Sequence, residues 1–267
     1  MSSSTSRRST STPRPIKSVR SAATWVDRVG VAALLPGSDL VLPSLWEAIS
    51  GSREVDWATV DDTGRHVFTP AMAKCWAWKD ELPERDLACV GKHLGRWSAL
   101  IAPRLLPALY ALTGRSGRPE DFREGELTPL QLEVAEAALA EGPSTGPELR
   151  ALVGADKKQV NAAVVVLQRA LVLTNAGVVE QKQGWNAITV DVLARRWDVS
   201  KQPREDEARR VLAAVVLASS RDVSAADLSG ALGWRVKRSR ETLGELVELG
   251  TAERRELQGL PLWNAAL

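Results

Sequence analysis

The sequence predicts a mainly α protein with small β-hairpins. Two observations lead to this fold class. Apolar residues recur at helical spacing behind helix-capping signals between residues 128 and 171, and the same signals return 79 residues later. The chain has 267 residues, of which 44% are hydrophobic and 25% charged, as in ordinary globular proteins. At this length we expect two or three units, each with its own core.

Residues 127–197 contain the signals for three helices in succession. Each helix is predicted to begin at a hydroxyl or carboxylate N-cap that is followed three residues later by Glu or Gln, which is a capping box. The pairs are Thr128 with Gln131, Thr145 with Glu148, and Asp156 with Gln159. Pro129 at a first helical position supports the first helix, which should end near Glu141, and Gly154 marks the end of the second.

The third helix and the segment after it indicate the type of domain. Its apolar residues lie at helical spacing and are expected to face the core: Val160, Val164, Leu167 and Leu171. The stretches 171–181 and 185–193, separated by Lys-Gln-Gly, are typical of two hairpin strands. Three helices followed by a hairpin is the order of a winged helix, whose third helix normally enters the major groove.

The pattern occurs a second time and predicts tandem winged-helix domains with small β-wings. A shift of 79 residues superposes four positions: Ser224 on Thr145, Asp227 on Glu148, Leu228 on Leu149, and Gly233 on Gly154. The tripeptide 263–265 repeats the Trp-Asn-Ala of residues 185–187 at a shift of 78. The second copy is therefore expected to occupy residues 198–267.

The remaining residues divide into a tail and an amino-terminal domain. Residues 1–20 are predicted to be a disordered basic tail that is dispensable for folding, because they are rich in Ser and Thr and carry five basic residues but no acid. Residues 21–126 are predicted to form a Trp-rich helical domain that closes with a linker over 114–126. Without the tail, 30 basic residues stand against 33 acidic ones, so DNA affinity would have to come from local patches.

Two clusters of polar residues are candidates for binding DNA. In the first copy they are Lys157, Lys158, Asn161 and Gln168 on the third helix, with Lys182 in the hairpin turn. In the second copy they are Arg235, Lys237, Arg238 and Arg240. Lys and Arg suit phosphates, and Asn and Gln can pair with an adenine edge. Solvated helix faces are the alternative, and three glutamates later in the last helix would repel a duplex that lay along it.

Other classes of function are less well supported. Two cysteines and two histidines at irregular spacing predict neither a zinc site nor a disulfide framework, and no phosphate-binding loop is present, so no metal and no cofactor are expected. No apolar run approaches the length of a membrane span, and the tail lacks the apolar segment of a secretory signal, although a transit peptide would have a similar composition. We expect a cytoplasmic protein, associated with the nucleoid if it binds DNA.

Four segments carry a resemblance to a known family. They are RVGVAALLP at 28–36, LPSLWEAISG at 42–51, WAWKDELP at 76–83, and GKHLGRWSALIAPRLLPALYAL at 91–112. Together with the two predicted winged helices, they are similar to the AlkZ/YcaQ-like family and most closely to its AlkZ-related branch. The resemblance implies that the first domain is a diverged winged helix. It also implies a relationship to glycosylases that excise alkylated bases and unhook DNA crosslinks.

The catalytic signature of that family is absent. It is a Gln-x-Gln or Gln-x-Asp element shortly after Arg-x-Gly, but here Arg28-Val29-Gly30 is followed by Val31-Ala32-Ala33-Leu34. Without a polar side chain, these residues cannot position a water or stabilise an oxocarbenium ion. The sequence therefore predicts a DNA-binding protein of repair or genome maintenance, acting on duplex, damaged or structured DNA without base excision.

Two alternatives remain at this point. Lys79, Asp80 and Glu81 follow a Trp pair and could project into a cleft whose aromatic side chains stack on a base, which would give a glycosylase with an altered site. The same residues are also typical of a charged turn beside core tryptophans. The other alternative is a module whose winged helices bind protein, which the acidic body of the chain favours.

Overall fold

The computed structural model describes residues 15–182 and 185–266. Helices predominate in these residues, which also contain four small antiparallel sheets. Residues 1–14 of the predicted tail lie outside the described part. The prediction for the rest of the tail is wrong, because Ile16 packs against the core and the first helix begins at Val19 behind its N-cap Ser18.

The first unit comprises residues 15–112. Its elements are α1 (Val19–Val29), β1 (Val31–Ala33), α2 (Leu45–Ser50), β2 (Ala58–Val60), β3 (His66–Phe68), α3 (Pro70–Glu84), β4 (Cys89–Gly91), β5 (Ala99–Ile101) and α4 (Leu106–Ala111). Strands β1, β5 and β4 form one sheet in that order, and β2 pairs with β3 in a separate hairpin inserted between α2 and α3.

The middle unit comprises residues 129–196. Its elements are α5 (Pro129–Glu141), β6 (Ser144–Thr145), α6 (Gly146–Val153), α7 (Lys157–Arg169), β7 (Leu173–Val179), β8 (Ala187–Val192) and the short α8 (Leu193–Arg196). The sheet order is β6-β8-β7. In this sheet, as in that of the first unit, the last strand in the chain lies between the other two. The predicted helices and hairpin of this segment are confirmed.

The last unit comprises residues 205–266. Its elements are α9 (Glu205–Ser219), α10 (Ala225–Leu232), α11 (Val236–Glu248), β9 (Ala252–Leu257) and β10 (Leu260–Ala265). An isolated bridge between Val223 and Trp263 takes the place of the middle unit's β6–β8 pairing. All three units therefore present a pair of helices after a short extended segment, followed by a hairpin.

The repeat predicted from the sequence holds in its helices. Thr145 and Ser224 each bond the carboxylate three residues ahead, Glu148 and Asp227 respectively, and so close matching capping boxes. The two helices that begin there also end alike, at glycine C-caps in the left-handed conformation.

The repeat does not hold in the hairpins. Trp263 lies inside β10, is 4% exposed and bridges to Val223, whereas Trp185 precedes β8 and is 68% exposed. The structural counterpart of Trp263 is Val190, which pairs with Ser144 in the middle unit. The shared Trp-Asn-Ala tripeptide is thus misleading, because the last unit's hairpin closes with a much tighter turn.

The hydrophobic core corrects the expectation of one core per unit. The first and last units share one continuous cluster of buried residues, which runs from Ala22 and Val26 to Leu246 and Trp263. The middle unit has its own cluster around Leu149, Val160 and Leu167.

The segment predicted as a linker, residues 114–126, is an ordered part of the fold. Phe122 is 1% exposed and packs in the middle unit's core. Asp121 is also buried, where it accepts hydrogen bonds from the Tyr110 hydroxyl (2.8 Å) and the Gly117 amide (2.7 Å) and pairs with Arg115 at 3.2 Å. The buried carboxylate is fully partnered, so this connection holds the first and middle units together.

Candidate nucleic-acid interface

The first turns of α7 expose three of the predicted DNA-binding residues. Asp156 caps the helix by accepting from the Gln159 amide at 2.9 Å. Lys157, Lys158 and Asn161 are exposed beyond it, and none of the ion pairs within the described ranges involves either lysine. Their charges stand at the positive end of the helix dipole, a location that favours an anionic ligand.

Gln168 is not part of that face, which corrects the prediction from the sequence. It is 5% exposed, and its Oε1 accepts from the Lys92 amide at 2.9 Å while its Nε2 donates to Asn175 at 2.8 Å. The carboxyl end of α7 lies against the first unit, so the side of the helix that is open at Lys158 is covered about three turns later, at Gln168. Helical spacing alone does not show where a neighbouring unit covers a face.

The front of α11 is exposed and cationic, as the sequence predicts. Arg235 occupies the N-cap position without making a capping bond, and Lys237, Arg238 and Arg240 follow it. Two of these charges have acidic neighbours, because Glu241 lies 4.0 Å from Lys237 Nζ and 3.7 Å from Arg238 Nε. The front of α11 is therefore partly neutralised, in contrast to that of α7.

Lys79, Asp80 and Glu81 lie on α3, so the expectation of a charged turn is wrong. Lys79 and Asp80 form an ion pair whose side chains are only 14% and 20% exposed, and Lys79 Nζ lies 5.1 Å from the centre of the Trp76 ring. Glu81 points elsewhere and pairs with Arg85 at 2.9 Å. Two of the three residues thus share one site.

That site is an open cleft of about 590 Å³, which we call the aromatic cleft. Its walls are Phe68 from β3, Trp76 from α3 and Trp185 from the loop before β8. Ring centroids are 5.5 Å apart for Phe68 and Trp185 and 6.3 Å apart for Trp76 and Trp185. Lys79, Asp80 and Asn186 supply polar groups. The sequence suggested aromatic neighbours for Lys79 and Asp80 but could not identify Phe68 and Trp185, which only the fold brings to α3.

Lys182, the fifth residue predicted for the middle unit, is exposed in the same loop as Trp185. It lies three residues before that tryptophan in the chain. The loop thus offers one cation and one large aromatic side chain together.

A second cavity, of about 860 Å³, lies beside the segment that follows β1. Strand β1 is completely buried, and the chain leaves it to line this cavity with Leu34, Leu35 and Pro36. Three tryptophans, Trp76, Trp97 and Trp234, complete much of the wall. Of its acidic residues, Asp39 is exposed at the loop and Asp227 is engaged in the capping box of α10. The part of the wall formed by residues 34–36, directly after β1, is therefore apolar.

The cysteines and His93 are buried. Burial raises the pKa of the Cys75 and Cys89 thiols to about 12, so both remain protonated at neutral pH. Cys89 Sγ lies 3.3 Å from His93 Nε2, and burial lowers the pKa of His93 to about 4. No group of three His, Cys, Asp or Glu side chains in the part of the chain that the structure describes is arranged to hold a metal ion.

Among the described residues, no helix has the length and apolar character required to cross a bilayer.

Comparison with known proteins places the chain in a family. None of the curated proteins matches the sequence. A solved structure, the Streptomyces sahachiroi DNA glycosylase AlkZ, is similar with a TM-score of 0.53 and 16% sequence identity, over 95% of this chain and 65% of that one. At this identity the similarity shows a shared fold, and the chain spans 65% of the length of that glycosylase. The family model described as AlkZ related matches residues 16–233, and the protein therefore belongs to the AlkZ-related family.

Proposed function

We propose that the protein is a DNA-binding, tandem winged-helix protein of DNA repair or genome maintenance that lacks base-excision chemistry. In this proposal the three units are winged helices, with domains over 21–126, 127–197 and 198–267. The repeated order of helices and hairpin supports the assignment, and so does the sheet order shared by the first and middle units.

The observation that carries the proposal is the arrangement of α7 and α11. Each helix buries its apolar side in a core, around Val160 and Leu167 for α7 and around Leu243 and Leu246 for α11. Each also leaves its amino-terminal turns exposed, with seven polar or cationic side chains between them: Lys157, Lys158, Asn161, Arg235, Lys237, Arg238 and Arg240. In a winged helix these are the turns that meet the groove and the phosphates beside it.

The apolar region around β1 supports the absence of base excision. Hydrolysis of the bond between a base and its sugar requires a group that activates water or stabilises the developing cation on the sugar. Val31, Ala32 and Ala33 are fully buried and Leu34 and Leu35 follow, so the segment after Arg28-Val29-Gly30 supplies neither.

A second candidate function is favoured by a different observation. The Asp80 carboxylate lies in a cleft with three aromatic side chains, as in a glycosylase with a displaced active site. Lys79 is ion-paired with it, so Asp80 would act as a base only after a ligand had displaced the lysine.

The test measures affinity for a random duplex across a range of salt concentrations. Each phosphate contact steepens the fall of log affinity against log salt by about 0.9, so a variant with Ala at all seven positions should bind more weakly and show a slope flatter by several units. Unchanged affinity and slope in this variant, with folding intact by circular dichroism, would favour the protein-interaction alternative. Release of a free alkylated base by the wild type, lost in Asp80→Asn, would establish the second candidate instead.

A further inference from the structure

We propose that the aromatic cleft is a stacking site for one unpaired DNA base. This inference rests on the proposed DNA binding and adds the feature of DNA that the protein selects. It would make DNA with a bulged, gapped or flipped-out nucleotide the preferred ligand over a continuous duplex.

Exposure of the aromatic side chains is the first argument. Trp185 is 68% exposed and Trp57, whose ring centre lies 6.1 Å from that of Trp76, is 47% exposed. Tryptophan is highly buried on average, so two exposed tryptophans beside the half-buried Phe68 and Trp76 favour a binding surface here. The cluster is also composite, because Phe68 and Trp76 come from the first unit and Trp185 comes from the middle unit.

The second argument concerns the chemistry of the occupant. A nucleobase has two flat π faces and a polar edge. The tilted rings of Phe68, Trp76 and Trp185 offer a stacking surface, while Asn186 and the Lys79–Asp80 pair offer donors and acceptors at the same cleft. A wholly apolar peptide side chain would use neither the Asn186 amide nor the Lys79–Asp80 pair as hydrogen-bond partners, whereas the polar edge of a base can use both.

The third argument separates an unpaired base from a paired one. Within a duplex the faces of each base are covered by its neighbours, so a side chain can stack on a base only after the base leaves the stack. The cleft of about 590 Å³ is large enough for a small planar group and too small for a duplex. Lys182, three residues before Trp185 in the chain, adds a positive charge suited to a phosphate beside such a base, whereas Lys79 is ion-paired with Asp80.

The experiment compares two DNA probes of the same sequence, a perfect duplex and a duplex with a single bulged 2-aminopurine. Base stacking on an aromatic side chain gives the wild type an expected preference for the bulged probe of about tenfold, and the 2-aminopurine fluorescence should be quenched on binding. Trp185→Ala should remove both effects and leave affinity for the perfect duplex nearly unchanged. Trp185→Phe should retain part of each.

Leu260→Ala is the matched control, because Leu260 is 65% exposed and lies on the last unit's hairpin. It should keep the wild-type preference. If Trp185→Ala keeps the full preference, or the wild type binds both probes equally with a steep salt dependence, the stacking site is overturned while DNA binding stands. If the wild type binds neither probe, the proposed function fails as well.

Discussion

The middle and last units are attached to the first unit by different combinations of polar and apolar contacts. The middle unit adds buried polar contacts to the apolar ones of Leu171 and Leu193: His93 Nδ1 lies 2.9 Å from the Gln168 carbonyl, and the Thr174 hydroxyl donates to the Val90 carbonyl at 3.2 Å. Arg196 adds a bond to the Pro83 carbonyl at 2.6 Å. The last unit is held by an apolar core that it shares with the first.

We call the contacts of the middle unit with the first the polar joint, and those of the last unit with the first the apolar joint. The two joints have different physical properties. A buried polar joint depends on every partner being present and in the correct protonation state, because an unpaired buried group costs about 1–3 kcal/mol. An apolar joint depends on shape, since the interior is close-packed and adding even one carbon is felt. The placement of α7 thus depends in part on buried hydrogen bonds, and that of α11 on close packing.

Gly30→Ala should have the largest effect, through the apolar joint. Gly30 has a φ of +78°, and a Cβ built there would lie 2.5 Å from Val215 Cγ1 on α9 and 2.9 Å from Leu105 Cδ1. Backbone strain and overpacking together should lower the free energy of unfolding by about 3 kcal/mol, measured by urea denaturation.

Gly114→Ala is the control for this prediction. Its φ is +71°, but a Cβ there would have no atom within 4 Å. The substitution should therefore introduce only backbone strain and lower the free energy of unfolding by about 1 kcal/mol. Equal losses in the two variants would show that the close approach of α9 to Gly30 contributes nothing.

The polar joint should be sensitive to acid. Burial, partly offset by hydrogen bonds to the Gln168 and Val90 backbone, lowers the pKa of His93 to about 4, below its ordinary value. The unfolded chain therefore binds a proton that the folded protein does not between about pH 6.5 and pH 4. This contribution to stability is complete above about pH 6.5 and should fall by about 2 kcal/mol between pH 7 and pH 5.

His93→Gln is the comparison that isolates this group. It should be less stable than the wild type at pH 7, since the bond to the Gln168 carbonyl is altered, but the gap should narrow as the pH falls to 5. Parallel pH profiles of unfolding free energy for the two proteins would contradict the assignment of the acid sensitivity to His93.

Local signals predicted the elements well, and contacts between units were the part that the sequence could not reveal. A capping box is a motif of four consecutive residues that specifies where a helix starts. The boxes at Thr128, Thr145 and Asp156 therefore predict the starts of α5, α6 and α7 correctly. Helical spacing predicts that Gln168 is exposed on the same face as Asn161, and nothing in the neighbouring sequence shows that Lys92 and Asn175 are its partners.

The candidate site followed the same division. The exposed fronts of α7 and α11 could be predicted, because cap position and helical spacing determine them. The position of Lys79 and Asp80 beside aromatics was half predicted, since Trp76 is a neighbour in the chain. Phe68 comes from a hairpin inserted between α2 and α3, and Trp185 from another unit, so only the assembled fold defines the aromatic cleft.

The fronts of the two helices provide a second contrast between the units and the smallest predicted effect. Lys157 and Lys158 on α7 take part in none of the ion pairs found in the described ranges, whereas Glu241 lies beside both Lys237 and Arg238 on α11. A carboxylate there offsets part of the attraction between these cations and phosphates.

Glu241→Gln should therefore make α11 behave more like α7. DNA affinity should rise a few-fold, the slope of log affinity against log salt should steepen by up to about 0.9, and stability should change by less than about 0.5 kcal/mol because both ion pairs are exposed. Glu248→Gln, an equal change of net charge at the other end of α11, is the control. Titrations of a labelled duplex at several salt concentrations distinguish the two variants. If both raise affinity equally, the gain comes from net charge alone, and the amino-terminal turns of α11 lose their claim to be the part that meets DNA.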